Sequence, residues 1–449
     1  MSSPPASVLR NRDFVRLWTA ETISQFGTQV SLLAIPLVAF VLLGATPFEV
    51  ALLSTVEFLP FILFSLPAGA WVDRLRRRPI LIIGDLGRAL SLASIPIAYA
   101  FDALTIWQLY LVGFVNGTLT VFFDVAYMSY LPSLVDRDQL VDGNGKLEIS
   151  RTVAQTAGPA ISGGLIELLK APIAVALDAV SFLVSGLFVF LIRRQEPTPD
   201  RHVDEHGQAR LSLRHEVAAG LRYVLGNRYL RGIAASTGTA NLFGSIAMAT
   251  YIVYVVRDLG LSPGEIGLVF GLGNIGSIVG ALVASRFTRL LGLGRAIVIA
   301  MFLSFPALLL IAIAPKALPG PFLVASGVLF GLSAVIYNIN QVSFRQAITP
   351  AAMQGRMNAT MRFIVWGAIP LGQILGGIIA TTIGVHEAIW IGAIGNGLAV
   401  VPLVVTPVRT LREMPAPLDD GPAASDPAAA SSEADLELPP VSPIDPPGR

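Results

Sequence analysis

Twelve long apolar stretches follow one another along this chain of 449 residues. About 20 residues of α-helix, each rising ~1.5 Å, cross the ~30 Å hydrocarbon core of a bilayer. A backbone in lipid must satisfy its hydrogen bonds internally, so stretches of this length predict helices and are too long for barrel strands. The predicted spans 1 to 12 cover residues 17–43, 49–71, 79–100, 105–129, 150–169, 172–192, 229–256, 263–285, 295–314, 320–345, 357–383 and 387–407.

The composition excludes other broad classes of protein. Hydrophobic residues make up 53% of the chain and charged residues 14%, against about 25% charged residues in soluble domains. The net charge of +1 offers no basic field for a nucleic acid. Cysteine is absent, which removes disulfides, thiolate nucleophiles and thiolate zinc sites. We therefore predict an all-α, polytopic membrane protein without a nucleic-acid partner.

The distribution of lysine and arginine predicts the orientation of the spans. All but four of the 31 basic residues lie on one side of the predicted membrane layer. The exceptions are Arg88, Lys170, Arg257 and Lys316. Basic loops are retained in the cytoplasm, so we predict a multi-pass protein of the bacterial inner membrane with both termini cytoplasmic.

The spans divide into six and six around a charged connector. We predict a cytoplasmic segment at 1–16, a first bundle at 17–192, a connector at 193–228, a second bundle at 229–407 and a cytoplasmic tail at 408–449. The tail is rich in proline and alanine and has no long apolar run, so we predict that it is disordered. Apolar and basic positions alternate at helical spacing inside the connector, which predicts an amphipathic helix on the inner membrane surface.

The two halves repeat each other in sequence. Phe26-Gly27 matches Phe243-Gly244, and the turn from Thr46 to Glu49 matches the turn from Ser262 to Glu265. The stretch from Arg151 to Pro159 likewise matches the stretch that starts at Arg362 and ends at Pro370. A parallel six-plus-six repeat predicts two bundles around an axis along the membrane normal, with the substrate path between them.

The loop after span 2 carries the most specific motif. It runs from Gly69 to Arg78, with Asp73 and Arg74 in its middle and Arg77 next to its end. This resembles motif A of the major facilitator superfamily, G-x-x-x-D-R-x-G-R-R, with an arginine in place of the second glycine. A purely positive-inside loop would explain the arginines but neither the aspartate nor the glycine four residues before it.

The resemblance implies that motif A forms a gate. Asp73 at a helix end can accept hydrogen bonds from the free N–H groups of a helix in the other bundle. The resemblance also implies that this latch joins spans 2 and 11 and holds the inner side shut. The corresponding position in the second half is Arg289, so the latch is expected on one side only.

Span 5 contains a second motif, formed by Gly158, Pro159, Gly163 and Gly164. It resembles motif C, G-P-x-x-G-G, with Ser162 in place of one glycine. Proline kinks a helix and small residues permit close helix packing. Motif C is typical of drug and metabolite antiporters within the superfamily, so the resemblance implies export, although a plain packing face would look the same.

The resemblance extends over residues 15–410. Within the superfamily, Phe14 to Gly27 and Pro350 to Pro370 are most similar to the enterobactin-exporter and macrolide-efflux-like branch. It implies two six-helix bundles and secondary transport by alternating access, with a proton as the coupling ion of drug antiporters.

Ionisable residues inside a membrane are costly and are therefore candidates for function. Glu57 lies among leucine and phenylalanine near the middle of span 2, and Arg88 lies near the middle of span 3. Similar depth allows these two to pair, and Asp85 lies one turn from Arg88 and can also pair with it. Glu57 is the leading candidate for binding and releasing a coupling proton.

Asp124 lies near the inner end of span 4, where it can meet Arg77 or Arg151. Together with Asp85 and Arg88 it forms either a fixed ion-pair network that orients helices or part of the proton path. Ion pairs in proteins are often structural, so both interpretations stay open.

Polar side chains mark other helix faces. A stripe at helical spacing predicts that one face of span 1 faces the cavity or a neighbouring helix. The predicted substrate-cavity residues are Glu21, Gln25, Gln29, Asn241, Asn338 and Gln341.

The sequence shows no Walker A motif, metal-ligand cluster or nucleophile–base arrangement. We predict no enzyme and no cofactor; the partners are a small-molecule substrate, protons and the bilayer, and the protein is a monomer. Three functions stay open: proton-coupled efflux of a lipophilic or amphiphilic drug-like or macrolide-like compound, export of one secreted metabolite such as a siderophore, and a membrane sensor or scaffold. The gate features favour the first two, since a scaffold needs none of them.

Overall fold

The computed structural model describes residues 8–72, 75–136, 139–194, 196 and 213–412, and this part of the chain is all-helical. Its spans 1 to 12 are Arg12–Leu42, Pro47–Val72, Arg77–Ala100, Ile106–Leu134, Leu140–Leu169, Ala171–Phe190, Arg228–Asp258, Pro263–Leu291, Leu293–Ala312, Pro319–Ala347, Ala351–Thr382 and Val385–Val405.

Eleven of these helices in the described part are long and apolar enough to cross a membrane. Span 5 is the twelfth; it is more polar than the others, and its 30 residues pack against spans 1 and 8. It begins at Leu140, ten residues before the prediction, because Lys146–Asp142 and Arg151–Glu148 ion pairs at helical spacing support its polar first turns. The predicted twelve-helix, two-bundle fold is confirmed.

The repeat seen in the sequence has a structural counterpart at two places. Span 2 begins with Thr46 and Glu49 in reciprocal side-chain to backbone hydrogen bonds. Span 8 begins with the same capping box, formed by Ser262 and Glu265. Spans 1 and 7 both end in a π-helical turn, which the sequence pattern does not predict.

In the described part of the chain, the apolar core joins the two halves at one end. We call the end at which spans 1 and 7 begin the connector end, and the other the opposite end. One cluster of buried residues at the opposite end contains residues of both bundles, from Val30 to Ala393. At the connector end each bundle has its own cluster, one around Tyr130 and one around Phe344. Among the described residues, the apolar cores of the two halves are therefore joined at the opposite end and separate at the connector end.

The connector contains one described helix, Leu213–Gly226. It packs against span 11 and does not lie free on a membrane surface: Val224 is fully buried, and the Tyr223 hydroxyl donates to the Ile348 carbonyl at 3.2 Å. A carbon added at Gly220 would lie 2.9 Å from the Arg356 carbonyl oxygen. Periodicity predicted the helix correctly, but its apolar face is covered by protein.

The predicted tail starts too early at residue 408. Val408 is buried, and the carbonyl oxygens of Leu411 and Arg412 accept hydrogen bonds from Gly294 and Leu293 at the start of span 9. Residues 413–449 lie outside the described part of the chain. The five residues before them are ordered because they complete the otherwise unpaired backbone of a helix start.

Candidate functional site

A cavity of about 380 Å³ lies where the two halves meet. Spans 1, 2, 4 and 6 of the first bundle form most of its wall, and span 11 contributes Gln373. Its other polar lining residues are Thr28, Ser31, Ser54, Glu57, Asn116, Thr120 and Asp178. The cavity combines these groups with an apolar wall of leucine, isoleucine and phenylalanine, as small-molecule sites commonly do.

Glu57 projects into this cavity from the middle of span 2. It is ten residues from Pro47, which places it about 15 Å along the helix. Gly113 and Gly117 of span 4 make room for it, since a carbon added at Gly113 would lie 2.8 Å from the Glu57 Cγ atom. Within the described residues it has no hydrogen bond or ion pair, so the predicted pairing with Arg88 does not form.

Arg88 is held elsewhere, inside the first bundle. It donates to Asp85 at 2.7 Å, and both residues are buried. Ser185 of span 6 donates to the other Asp85 oxygen at 2.8 Å. The guanidinium lies 4.1 Å from the ring centres of both Phe123 and Phe182. The pairing predicted from the one-turn spacing is confirmed, and the two rings explain how the bundle holds a buried cation.

Asp178 of span 6 is a second acidic residue of the cavity wall. The polar stripes and ion pairs predicted from the sequence do not include it. It is 1% exposed and accepts hydrogen bonds from the Ser31 and Ser181 hydroxyls. Arg88 interacts with it electrostatically. The signal for Asp178 in the sequence is its position six residues inside a predicted span.

Asp124 lies on an exposed surface of span 4, and it forms no hydrogen bond with the described residues. Its electrostatic partners are Arg88, Arg151 and Arg362, of which the last belongs to span 11. The predicted neighbour Arg151 is therefore present. The other predicted neighbour, Arg77, is not a partner of Asp124, because its guanidinium lies 3.3 Å from Glu196.

The polar stripe of span 1 is directed mainly at neighbouring side chains. Gln25 donates to Glu21 at 2.7 Å, and the second Glu21 oxygen is buried without a hydrogen-bond partner. Gln29 packs on Gly158 of span 5, where an added carbon would overlap its side chain. None of these three residues lines the 380 Å³ cavity.

The second-half residues predicted for the cavity also lie outside its wall. Asn241 donates to the Val365 carbonyl at 2.8 Å, and Gln341 donates to Asn338 at 2.9 Å. These bonds join residues of the second bundle to each other. Helical spacing identified polar faces, but spacing alone does not say which neighbour a face meets.

Motif C forms the contact between spans 5 and 8. Gly163 packs on Gly267, with their Cα atoms so close that an added carbon at Gly163 would lie 3.0 Å from the Gly267 Cα. Gly164 has open space beside it. Nearer the membrane centre, Asn274 donates to the Thr156 hydroxyl at 3.1 Å. Close packing of small residues thus holds the two halves together at the opposite end.

The described residues of motif A lie at the connector end, where each half has its own apolar cluster. Asp73 and Arg74 lie outside the described residues. Among the described residues, Gly69 has no atom within 4 Å of the position of an added carbon. Arg77 donates its backbone N–H to Glu196 at 2.8 Å, and Arg78 donates to the Phe190 carbonyl at 2.6 Å. These bonds tie the start of span 3 to the end of span 6.

Comparison with known proteins identifies relatives among transporters. The multidrug efflux pump Tap of Mycolicibacterium fortuitum is 28% identical over 75% of this chain and 82% of its own length. Macrolide efflux protein A of Streptococcus pyogenes is 22% identical over 89% of this chain and 97% of its own. The enterobactin exporter EntS of Shigella boydii is 23% identical over 77% and 81%.

Solved structures share the fold. A bacterial homologue of the iron transporter ferroportin, in an inward-facing state, matches with a TM-score of 0.72 at 16% identity, covering 89% of this chain and 99% of that one. The nucleoside transporter NupG matches with a TM-score of 0.69 at 14% identity, covering 88% and 98%. The model of the transmembrane secretion effector family matches residues 3–426, and this chain therefore belongs to that family of multi-pass secondary transporters of the major facilitator type, which are not enzymes.

Proposed function

We propose that this protein exports a small lipophilic or amphiphilic compound in exchange for protons. The observation that carries the proposal is Glu57, a carboxyl group with no ion pair among the described residues, in a cavity between the two bundles. A carboxyl group in an apolar environment changes its charge state by taking up or releasing a proton. A carboxyl group between two moving halves can exchange that proton with either side of the membrane.

The packing of the halves supports a definite state in the transport cycle. The first and last described residues and the connector helix lie at the end rich in arginine, which we propose is cytoplasmic. We propose that the contacts of Gly163 with Gly267 and of Gly377 with Ala51 then close the outer side, and that the separate apolar clusters of the two halves mark an open inner side. This is the state in which an exporter takes up its substrate from the cell.

Asp85, Arg88, Asp124 and Asp178 form a charge network in the first bundle, distinct from the proposed proton site at Glu57. Arg88 interacts electrostatically with Asp85, Asp124, Asp178 and Glu21. A change in the charge of any one acid therefore alters the field at the others. We propose that Glu57 binds the transported proton and that this network holds the first bundle in register.

The experiment is proton movement in inside-out vesicles that contain the protein. An acid interior is established, and lipophilic cations, macrolides and siderophores are added in turn while the internal pH is followed. Wild type is compared with Glu57→Gln. We expect several compounds to release protons with wild type and none with the variant. Full proton release by Glu57→Gln would remove Glu57 from the coupling path.

A dedicated exporter of one metabolite, such as a siderophore, is the second candidate. The relatives include an enterobactin exporter as well as drug pumps. In the same vesicles a dedicated exporter responds to one compound of the panel, whereas a multidrug pump responds to several. A sensor or scaffold would bind compounds and move no protons. We propose that the transporter acts as a monomer, because the cavity is formed within one chain.

A further inference from the structure

We infer that the cavity between the bundles binds a protonated primary amine with an apolar body, and that Glu57 is the counter-ion of its ammonium group. This inference rests on the proposed export function and names the chemical class of its substrate. Three features of the cavity lead to this inference independently: its charge, its hydrogen-bonding groups and the shape of its apolar wall.

The charges of the cavity leave one negative group without compensation. Asp178 is supplied with two hydroxyl donors, from Ser31 and Ser181, and has Arg88 as an electrostatic partner. Glu57 has neither a donor nor a cation among the described residues. An unpaired carboxylate away from water is expensive, and a single positive charge on a ligand removes that cost. The uncompensated charge therefore matches a monocation.

The hydrogen-bonding groups narrow the class of cation. The side-chain oxygens of Asn116 and Gln373 are both buried, line the cavity and have no hydrogen-bond partner in the described part of the chain. With the carboxylate of Glu57 they form three acceptors around one space. A primary ammonium group carries three N–H donors, whereas a quaternary cation carries none. Unmet acceptors thus favour a protonated primary amine.

The rest of the wall suits the body of such a molecule. Phe58 and Phe61 lie stacked with their ring centres 5.7 Å apart, and Leu32 and Ile35 complete the apolar side. Aromatic faces attract cations and bury large apolar areas. An anionic substrate would meet Glu57 and Asp178 at close range and is disfavoured by repulsion.

Binding to the purified protein in lipid nanodiscs, without a proton gradient, tests the inference. Three probes share one ring system: 1-naphthylmethylamine, its N-acetyl derivative and 1-naphthylacetate. We expect wild type to bind the amine at least about 10-fold more tightly than the neutral amide, as a charge-assisted hydrogen bond predicts. The anion should bind most weakly.

Glu57→Gln should lose the preference for the amine. The matched control is Glu49→Gln, which removes an acid from the same helix outside the cavity and keeps its capping pattern. The double variant Glu57→Gln with Gln373→Glu places the carboxylate on the facing wall and should restore the preference. Midpoints of thermal unfolding show that each variant is folded.

Two results would overturn the inference: failure of wild type to prefer the amine over the amide, or an unchanged preference in folded Glu57→Gln. Because this assay needs no gradient, it separates substrate class from coupling. Preference for the amine without proton movement in vesicles would leave the substrate class intact and refute proton coupling. Proton-coupled export of uncharged compounds without that preference would leave proton coupling intact and refute the substrate class.

Discussion

Arg88 shows how a charged side chain can be stabilised inside a bundle of membrane helices. Its charge is matched by Asp85, and its guanidinium lies between two phenylalanine rings, so every face of the group has a partner. Glu57 is the opposite case, an acid with space around it and no partner among the described residues. Two ionisable residues at similar depth therefore differ in role: Arg88 is fixed, while Glu57 is available to a ligand or a proton.

Replacement of Arg88 by Gln should destabilise the protein strongly. The change leaves Asp85 buried and uncompensated, a situation that costs about 3–5 kcal/mol. The control is Arg257→Gln, since Arg257 pairs with Asp258 at a surface where its side chain is 49% exposed and a pair is worth ~0–1 kcal/mol. The midpoint of thermal unfolding in detergent should fall for Arg88→Gln and stay within error for the control. Equal midpoints would show that the pair does not carry stability.

At the scale of elements, two adjacent glycines in span 5 have different environments. Gly163 meets the backbone of span 8, whereas Gly164 faces open space. Within this motif, Gly163 therefore sets the distance between the bundles, whereas Gly164 does not.

We expect Gly163→Val to loosen the contact between spans 5 and 8, because the added side chain overlaps the Pro263 carbonyl. The chain has no cysteine, so Ser54→Cys provides a single reporter in the cavity wall. A membrane-impermeant maleimide, applied from the proposed outer side, should label this cysteine faster in Gly163→Val than in the parent. Gly164→Val is the matched control and should label at the parental rate; faster labelling in both would contradict the role of Gly163.

The connector helix is a second element whose packing suggests a role. Gly220 lies against span 11, whereas a carbon added at Gly226, at the end of the same helix, would have no described atom within 4 Å. Gly220→Leu should displace the helix from span 11, raise the rate of protease cleavage in the connector and slow transport. Gly226→Leu should do neither. Unchanged cleavage and transport in Gly220→Leu would show that the contact is dispensable.

At the scale of the whole molecule, the two halves must separate at the opposite end for transport to be completed. Thr156 and Asn274 join spans 5 and 8 across this boundary. A double variant with cysteine at both positions should be cross-linked by a short bifunctional thiol reagent with a cleavable disulfide. Transport should then stop and recover on reduction, while each single-cysteine variant stays active. Full transport in the cross-linked protein would place the moving boundary elsewhere.

Sequence by itself determined the class of this protein and most of its local structure. Runs of about 20 apolar residues leave only helices as a solution in lipid, and the two equivalent turns at Thr46 and Ser262 identify the repeat. The i, i+3 spacing also made Asp85 one of two candidate partners of Arg88, because neighbours on one helix face follow from local geometry. The motifs around Gly69 and Gly158 were enough to indicate the family.

Only the tertiary structure decided which polar residues share one space. Helical spacing gives the face of a side chain but not the helix opposite it, so the sequence left the stripe from Glu21 to Gln29 facing either the cavity or a neighbouring helix, and in the structure Gln29 packs on Gly158 of span 5. Asp178 and Gln373 are far from Glu57 in sequence, and they line the same cavity only after the helices of the first bundle and, for Gln373, the second bundle have packed. Which end of the boundary is closed also depends on long-range contacts between the bundles, and these have no signature in local sequence.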